Sequence, residues 1–545
     1  MNVKTAIITT IEKTLTRQSI DYPEIEVEVP NDKSHGDFST NIAMKLARVL
    51  RKPPLKIAEE LVQASDFDQS IFTAVFVARP GFINFTVNKA IYHDLIPRIN
   101  DAPSDYGTLT IGKGEHYNIE FVSANPTGSL HIGHARGAAA GDALARVLVK
   151  AGYQVTKEFY VNDGGNQINQ LAASIKARYN QAFGINQAVP EDGYHGPEIK
   201  KLADEIIKEV GDRFLHEEGV EFFKAYGVDS LLASLKEDLA QFNVTFDVWF
   251  KESQLYKENR IEETLNVLKD RGYTYEEDGA LWLKTSLYGD EKDRVIVKSD
   301  GTYTYITPDI AYHYDKLSRG YTKLIDILGG DHHGYVPRLK AAIAMMSGQE
   351  EMLDVELLQM VKVLQDGQEI KMSKRSGKSI TLADLMAEVG KDPIRYFFAM
   401  RSLNTHMDLD LDLALKESNE NPVFYAQYAH ARIASLFRQA ETKGYQVDPT
   451  LSTFSTLNGE KIEYLLTVLS EYPDAIEEAA TKRIPHKITH YIHRLAQALH
   501  SFYADEIILS EDAVKVRERL ALLHAVKAVL KDALTLVGVD AKERM

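Results

Sequence analysis

Tyr117-Asn118-Ile119-Glu120-Phe121-Val122, the segment Ser123-Ala124-Asn125-Pro126-Thr127-Gly128-Ser129, then His131-Ile132-Gly133-His134 leading into residues 135–150, and finally Tyr153-Gln154-Val155-Thr156-Lys157-Glu158-Phe159-Tyr160 together decide the fold of this chain. The first run is apolar and strand-like, the second is rich in turn formers, the third is dense in Ala, Leu and Arg, and the last is strand-like again. A strand, a crossover helix and a second strand build a parallel sheet. The helix start is where this unit meets chemistry, because its unpaired N–H groups and positive dipole end attract an anion. His131 and His134 add two imidazoles one turn apart, and Gly133 leaves room for a ribose or base against the backbone. Read alone, the His-x-x-His pair is equally a chance pairing or a metal site without its other ligands.

A second basic element lies far downstream, Lys371-Met372-Ser373-Lys374 followed by Arg375-Ser376-Gly377-Lys378. Its ammonium groups are suited to close over a polyphosphate, although such a tetrapeptide alone is usually a solvated loop. The two elements in this order resemble the paired signatures of class I aminoacyl-tRNA synthetases. The flanks narrow the resemblance. Glu120-Phe121-Val122-Ser123-Ala124-Asn125-Pro126-Thr127-Gly128, Tyr305-Ile306-Thr307-Pro308-Asp309, and Asn421-Pro422-Val423-Phe424-Tyr425-Ala426-Gln427-Tyr428-Ala429-His430-Ala431-Arg432-Ile433 look like the arginyl-tRNA synthetases. Some enzymes of that family lack the second signature and carry a lysine where this chain has Gly128. Here the glycine stands with both loop lysines, the consistent alternative.

The resemblance implies an α/β catalytic domain of Rossmann type, with an N-terminal α+β domain and a C-terminal all-α bundle. It implies an ATP-dependent ligase that activates L-arginine and transfers it to the 3′ adenosine of tRNA(Arg). His131, His134, Lys371 and Lys374 form the expected catalytic set. Glu120, Asn125, Tyr305 and Asp309 are the expected arginine contacts. ATP is expected at His131, Gly133, His134, Asp331, His332, His333, Met372 and Ser373, as its Mg²⁺ complex, with no metal bound tightly by the protein. Phe82, Asn84 and the neighbouring Phe85 look like a base-contacting strand of the N-terminal domain. Tyr425 and Tyr428, with His430, are candidate base-stacking partners in the C-terminal one. The family resemblance also implies that adenylate forms slowly until tRNA is bound.

Composition agrees with an enzyme of several domains. At 545 residues with 44% hydrophobic content the chain can build three or four cores. Cysteine is absent, which excludes disulfides and thiolate metal sites. No signal-peptide core opens the chain and no run of about twenty apolar residues occurs, so it is expected to be soluble and cytoplasmic; a monomer is the expectation for its assembly, which these features do not decide. A net charge of −16 argues against a general nucleic-acid binder. Local basic faces remain possible around Lys45, Arg48, Arg51 and Lys52, and around Lys482, Arg483, Lys487 and Arg494, each with a solvated helix face as its plain alternative.

Four regions separate along the sequence. Residues 1–110 mix helices with strand-like Glu24–Val29 and Gly81–Val87 and read as the small α+β domain. The catalytic domain is expected over 111–415, with a charged helical insertion over about 166–290 and the lysine loop at 371–378. The sheet resumes with Lys323–Leu328, whose exit Gly329-Gly330-Asp331-His332-His333-Gly334 lies where open α/β sheets bind ligands. Adjacent histidines seldom both point at one ion, so a metal reading of that exit is weak. Val355–Leu364 is strand-like, Asp366-Gly367 is a hairpin turn, and Thr381–Asp384 is a capping box. Residues 416–545 read as amphipathic helices of an all-α bundle.

Each assignment has a plainer competitor. Asp309 after Pro308 also suits a helix cap, Glu120 an edge-strand surface carboxylate, one of the two phenylalanines a core position, and the helix aromatics a packed interface. Two other functions are carried as rivals: another class I synthetase such as the cysteinyl enzyme, and a non-catalytic tRNA-binding module. Absence of cysteine removes the thiolates a zinc-based cysteine selector needs, and a module without chemistry has no need of all four catalytic residues.

Overall fold

The computed structural model describes residues 3–30, 32–370 and 380–545. The central sheet has five parallel strands: β1 (His116–Glu120), β2 (Gln154–Val161), β3 (Val248–Lys251), β4 (Lys323–Gly329) and β5 (Leu353–Leu358). Their spatial order is β5-β4-β1-β2-β3. The chain therefore winds outward from β1 in one direction and from β4 in the other. The cleft at the carboxyl ends of β1 and β4 is the switch point at which such sheets take ligands.

The helix that follows β1, α1 (Ile132–Lys150), is buried on nearly every side between Ala135 and Leu148. Its Ala and Gly content follows from that position, because a helix enclosed all round needs small residues where neighbours approach. At Gly141 an added Cβ would lie 2.4 Å from the Phe121 ring. Arg136, wholly buried, fixes the first turns of α1 by donating to the carbonyls of Gln359, Ser402 and Thr405 at 2.8 Å each. Further along, Asp142 accepts from Arg395 at 2.6 Å, and Arg395 also donates to Phe242 O and Val537 O. That guanidinium joins four segments far apart in sequence.

The region between β2 and β4 is not simply helical. Helices Gly165–Ala182, Pro197–Val210 and Val220–Gln241 come first, but Val248–Lys251 is the edge strand β3 of the main sheet. Residues Thr274–Glu277, Ala280–Leu283 and Arg294–Val297 form a separate antiparallel sheet. These strands are four residues each, too short for alternation to stand out against the charged helices around them. The run Val355–Leu364 likewise divides between β5 and Val361–Gln365, and the latter pairs with Gln368–Ile370 and Met407–Asp410. The turn between them carries positive φ at both Asp366 (52°) and Gly367 (71°), as the sequence anticipates for a two-residue hairpin.

At the amino end, strand Phe82–Val87 is central in a three-stranded antiparallel sheet with Phe38–Thr40 and Phe72–Ala78, covered by helices Val3–Arg17, Ile42–Leu50 and Pro54–Ala64. The expected strand Glu24–Val29 is reduced to a single bridge between Glu28 and Ser39. At the other end, helices Pro422–Thr442, Glu460–Ser470, Tyr472–Thr481, His486–Asp505 and Ala513–Leu536 form the bundle. The two ends touch: Asn100 donates to Ala521 O at 3.1 Å and Tyr106 to Leu469 O at 2.9 Å. No described helix is long and apolar enough to cross a membrane.

Candidate active site

Beyond β1 the chain turns sharply, with Val122 and Ser123 at φ 70° and 40°. Such angles are costly for a β-branched residue and persist only where the surroundings enforce them. Ser123 supplies the restraint: its hydroxyl donates to Glu120 Oε1 at 2.8 Å and accepts the N–H of Tyr160 at 3.1 Å, tying the end of β1 to β2. The loop then delivers His131 to the N-cap of α1.

The two histidines form a reciprocal cap. Nδ1 of His131 accepts the Gly133 N–H at 3.1 Å, and Nδ1 of His134 accepts the His131 N–H at 3.3 Å. Their rings stack at 3.6 Å between centroids. Desolvation pushes both imidazoles toward the neutral form; in His134, with His131 adding to the effect, the pKa falls to about 3. With Nδ1 accepting, the proton of each neutral ring is on Nε2, so both rings offer an N–H donor to a ligand at the helix start. A proton NMR titration of His134 is accordingly expected to show no midpoint near 6.5 between pH 8 and pH 5. Since its pKa is depressed, acid costs folding stability as the unfolded chain takes up a proton below about pH 6.5. An imidazole signal titrating near 6.5 would contradict the capped geometry.

Lys371, Met372, Ser373 and Lys374 lie outside the described residues. The chain re-enters the structure at this same place. Thr381 forms an antiparallel bridge with His131, the Leu382 N–H donates to Leu130 O at 2.7 Å, and Thr381 and Asp384 make the reciprocal cap anticipated from sequence.

At the exit of β4, Gly329 and Gly330 are half-buried and Asp331–Gly334 stand exposed at the same edge of the sheet. His332 Nδ1 lies 3.1 Å from Asp331 Oδ1. A Cβ at Gly330 would sit 3.4 Å from Leu358 O and Gln359 Nε2, so the Leu358-Gln359 segment passes between this turn and the Arg136 anchor of α1.

Carboxylates gather beside these loops. Asp309 is in the first turn of α2 (Ile306–Ser318), but its side chain makes no helix cap. Its Oδ2 instead accepts the Tyr335 hydroxyl at 2.6 Å, while Oδ1 lies 3.5 Å from His313 Nδ1. Glu252, just past β3, lies beside the Tyr160 hydroxyl. Its burial, with Asp163 and Asp309 nearby, holds its carboxyl above the usual range. Tyr160 lies within the field of Glu252, Asp309 and Glu120 together. Sequence reading missed Glu252, Tyr160 and Tyr335, because nothing in the chain marks the end of a four-residue strand as part of a site.

Glu120 is neither an edge residue nor freely exposed. It is buried, and its Oε2 accepts from the fully buried Lys316 ammonium at 2.6 Å, which also donates to Asp326 at 3.1 Å. His313 Nε2 lies 2.7 Å from Asp326. Burial raises the Glu120 carboxyl despite Lys316, whereas Lys316 and His313 together hold Asp326 well below the usual range against its burial. Glu120, His313 and Asp326 are close enough for a metal ion, but the Lys316 ammonium already occupies the space between the two carboxylates.

Asn125 is exposed and donates to Gln167 Oε1 at 2.7 Å, and Tyr305 is fully exposed at 101% before α2. In the N-terminal sheet, Phe82 and Asn84 share one face of their strand. Asn84 is 1% exposed, its Oδ1 taken by Ser39, and its Nδ2 has no partner. Phe85 is on the other face, packed against Phe67 and Phe72, and is core. Tyr425 and Tyr428 lie against His500, Tyr428 also stacking on Phe424. His430 is wholly buried against Lys542 O and is not available for base stacking. Of the two basic faces, Lys482 and Lys487 pair with Glu478, Arg494 with Glu471, Lys45 with Glu26 and Lys52 with Glu60, while Arg483 reaches Asp354 on β5.

Comparison with known proteins covers nearly all of this chain. Residues 107–404 match the family model for the catalytic domain of class I tRNA synthetases (R), residues 1–87 the arginyl tRNA synthetase N-terminal domain, and residues 426–545 the DALR anticodon binding domain. Proteins named arginine--tRNA ligase from Bacillus licheniformis and Bacillus subtilis are each 51% identical to it, over 96% of this chain and 95% of theirs. The arginyl-tRNA synthetase structure from Thermus thermophilus superposes with a TM-score of 0.79 at 21% identity, each chain covered fully, which shows the shared fold.

Proposed function

Because this chain belongs to the arginyl-tRNA synthetase family, we propose that it activates L-arginine with ATP and transfers it to the 3′ adenosine of tRNA(Arg), using the site at the carboxyl ends of β1 and β4. The family models and the relatives favour this reading over a cysteinyl enzyme or a non-catalytic module. ATP enters as its Mg²⁺ complex, a substrate. We place the enzyme in the cytoplasm as a monomer.

In the first step the arginine carboxylate attacks the α-phosphorus of ATP, and the bond to the β-phosphate bridging oxygen breaks to release pyrophosphate. No protein nucleophile is needed, so the protein aligns the reactants and offsets charge developing on the phosphates. His131 and His134 donate through Nε2–H from the helix start, Lys371 and Lys374 supply ammonium charge to the phosphates, and Met372 and Ser373 are assigned to the nucleotide with them. Gly133 admits the ribose or base, and Asp331, His332 and His333 line it from the β4 side. In the second step a terminal ribose hydroxyl, the 2′ one by class, attacks the adenylate carbonyl and AMP departs.

Selection of arginine rests on the carboxylates. A guanidinium is a planar fork of five donors that stays charged, and Asp309 and Glu252 offer it acceptors beside the polar Tyr160 hydroxyl. Asn125 and Tyr305 hold the amino and carboxylate end and the open side. Glu120 contributes mainly to the negative field, since Ser123 and Lys316 already engage its oxygens. The observation that carries the proposal is this meeting of a neutral two-histidine phosphate cap with an acidic pocket at one switch point. Phe82 at one end, and Tyr425 and Tyr428 at the other, are the proposed tRNA contacts; Asn84, expected with them, is 1% exposed and closed off from a base.

ATP–pyrophosphate exchange tests it, with each amino acid in turn, first without tRNA and then with tRNA whose 3′ adenosine has been oxidised. Exchange is expected with arginine alone among amino acids and to depend on the tRNA. Exchange with another amino acid would overturn the arginine assignment, and full-rate exchange without tRNA would overturn only the tRNA requirement.

A further inference from the structure

Tyr335 stands between the two halves of the site, and sequence reading assigned it nothing. It follows the Gly329–Gly334 turn directly and precedes α3 (Val336–Ser347). Its backbone N–H donates to His332 O at 2.8 Å, closing the turn. Its ring meets the His332 imidazole edge-on at 6.3 Å and 78°, with the Arg338 guanidinium 5.7 Å over its face. The ring is half-buried against the core shared by α2 and α3, which restrains the hydroxyl beside its partner.

That partner is Asp309 Oδ2, at 2.6 Å. The bond leaves Asp309 with one committed oxygen and one available. Oδ1 faces His313 Nδ1 at 3.5 Å, but that nitrogen already has the Asp309 carbonyl at 2.8 Å. A cationic substrate group therefore meets Oδ1, and the plane of the carboxylate that receives it is set by the phenol. Through its N–H on His332 O and its hydroxyl on Asp309, Tyr335 ties the turn to this carboxylate.

Resting on the functional reading above, we propose that Tyr335 is a positioning residue that orients Asp309 for the guanidinium and couples the arginine subsite to the nucleotide-binding turn. Coupling between two ligands is reciprocal: ATP tightens arginine binding and arginine tightens ATP binding by the same factor, through one hydroxyl.

The test is Tyr335→Phe in the full-length chain, which removes that hydroxyl and nothing else. Pyrophosphate exchange is followed with oxidised tRNA present, varying arginine at ATP concentrations well below and well above its KM. In the wild type the arginine KM is expected to fall as ATP rises. In Y335F it is expected to be roughly tenfold higher at saturating ATP, the scale of a hydrogen bond to a charged group, and to be independent of ATP. The melting temperature should stay near wild type, whereas the ATP KM at saturating arginine should rise by the factor of the lost coupling, as reciprocity requires. An unchanged arginine KM in Y335F, an ATP dependence that survives the substitution, or a wild type without that dependence overturns the proposal. A lowered melting temperature with both KM values unchanged assigns Tyr335 to packing alone and overturns it too. A wild type that exchanges with no arginine overturns the functional reading instead.

Discussion

Replacing Lys374 with Ala is expected to slow arginyl-adenylate formation by about 10²-fold or more, the usual consequence of losing one preorganised electrostatic contact to a transition state. Arginine binding should change little, because Asp309 and Glu252, the acceptors proposed for the guanidinium, stand on α2 and just past β3, away from this segment. The described ends of the segment support the assignment. Residues Gln368–Ile370 close a small sheet on one side, and on the other Thr381 is bridged to His131 itself. The described residue Thr381, seven positions after Lys374, thus lies against the helix start at which the anion is proposed to bind. Exchange rates together with calorimetric arginine binding decide it, and near wild-type turnover in the variant would reduce the loop to a solvated turn.

Exchange of Asp309 for Asn is expected to raise the arginine KM by a factor of roughly ten to a few hundred, from about 1.5–3 kcal/mol for a charge-assisted hydrogen bond. The side chain is 33% exposed, so the contact is partly desolvated rather than screened. Asparagine keeps the size and can still accept from Tyr335, so the fold and the ATP dependence on that hydroxyl should survive. The loss is confined to the charge facing the guanidinium. Steady-state exchange with arginine varied at saturating ATP checks it. An unchanged KM would leave Asp309 as a partner of Tyr335 with no part in substrate selection.

Sites built from contiguous residues were legible. His131, Gly133 and His134 lie within one helical turn, and the Thr381 cap and the Asp366-Gly367 hairpin are equally local, so spacing and residue type suffice to place them. Sites assembled across distance were not. Glu252 follows a strand too short to announce itself, and Tyr335 reads as an ordinary aromatic before a helix. Phe82 and Phe85 differ only in which face of one strand they occupy, and the sheet order decides which face is covered. His430 looked as available as Tyr428 until the carboxyl-terminal segment was seen to cover it.

By itself the sequence determined the parallel-sheet architecture, the two-histidine helix start and the α+β and all-α ends, because periodicity and turn chemistry are local properties of the chain, and its contiguous motifs carried the family resemblance. Only the tertiary structure decided what the charges do. It turned Glu120 from a presumed free ligand into half of a buried pair with Lys316, 196 positions away in sequence, and it brought Asp309 and Tyr335 to 2.6 Å. The reason is physical: a carboxylate's protonation, orientation and remaining capacity for a ligand depend on desolvation and on which donors the fold places beside it, and neither quantity exists before the chain is packed.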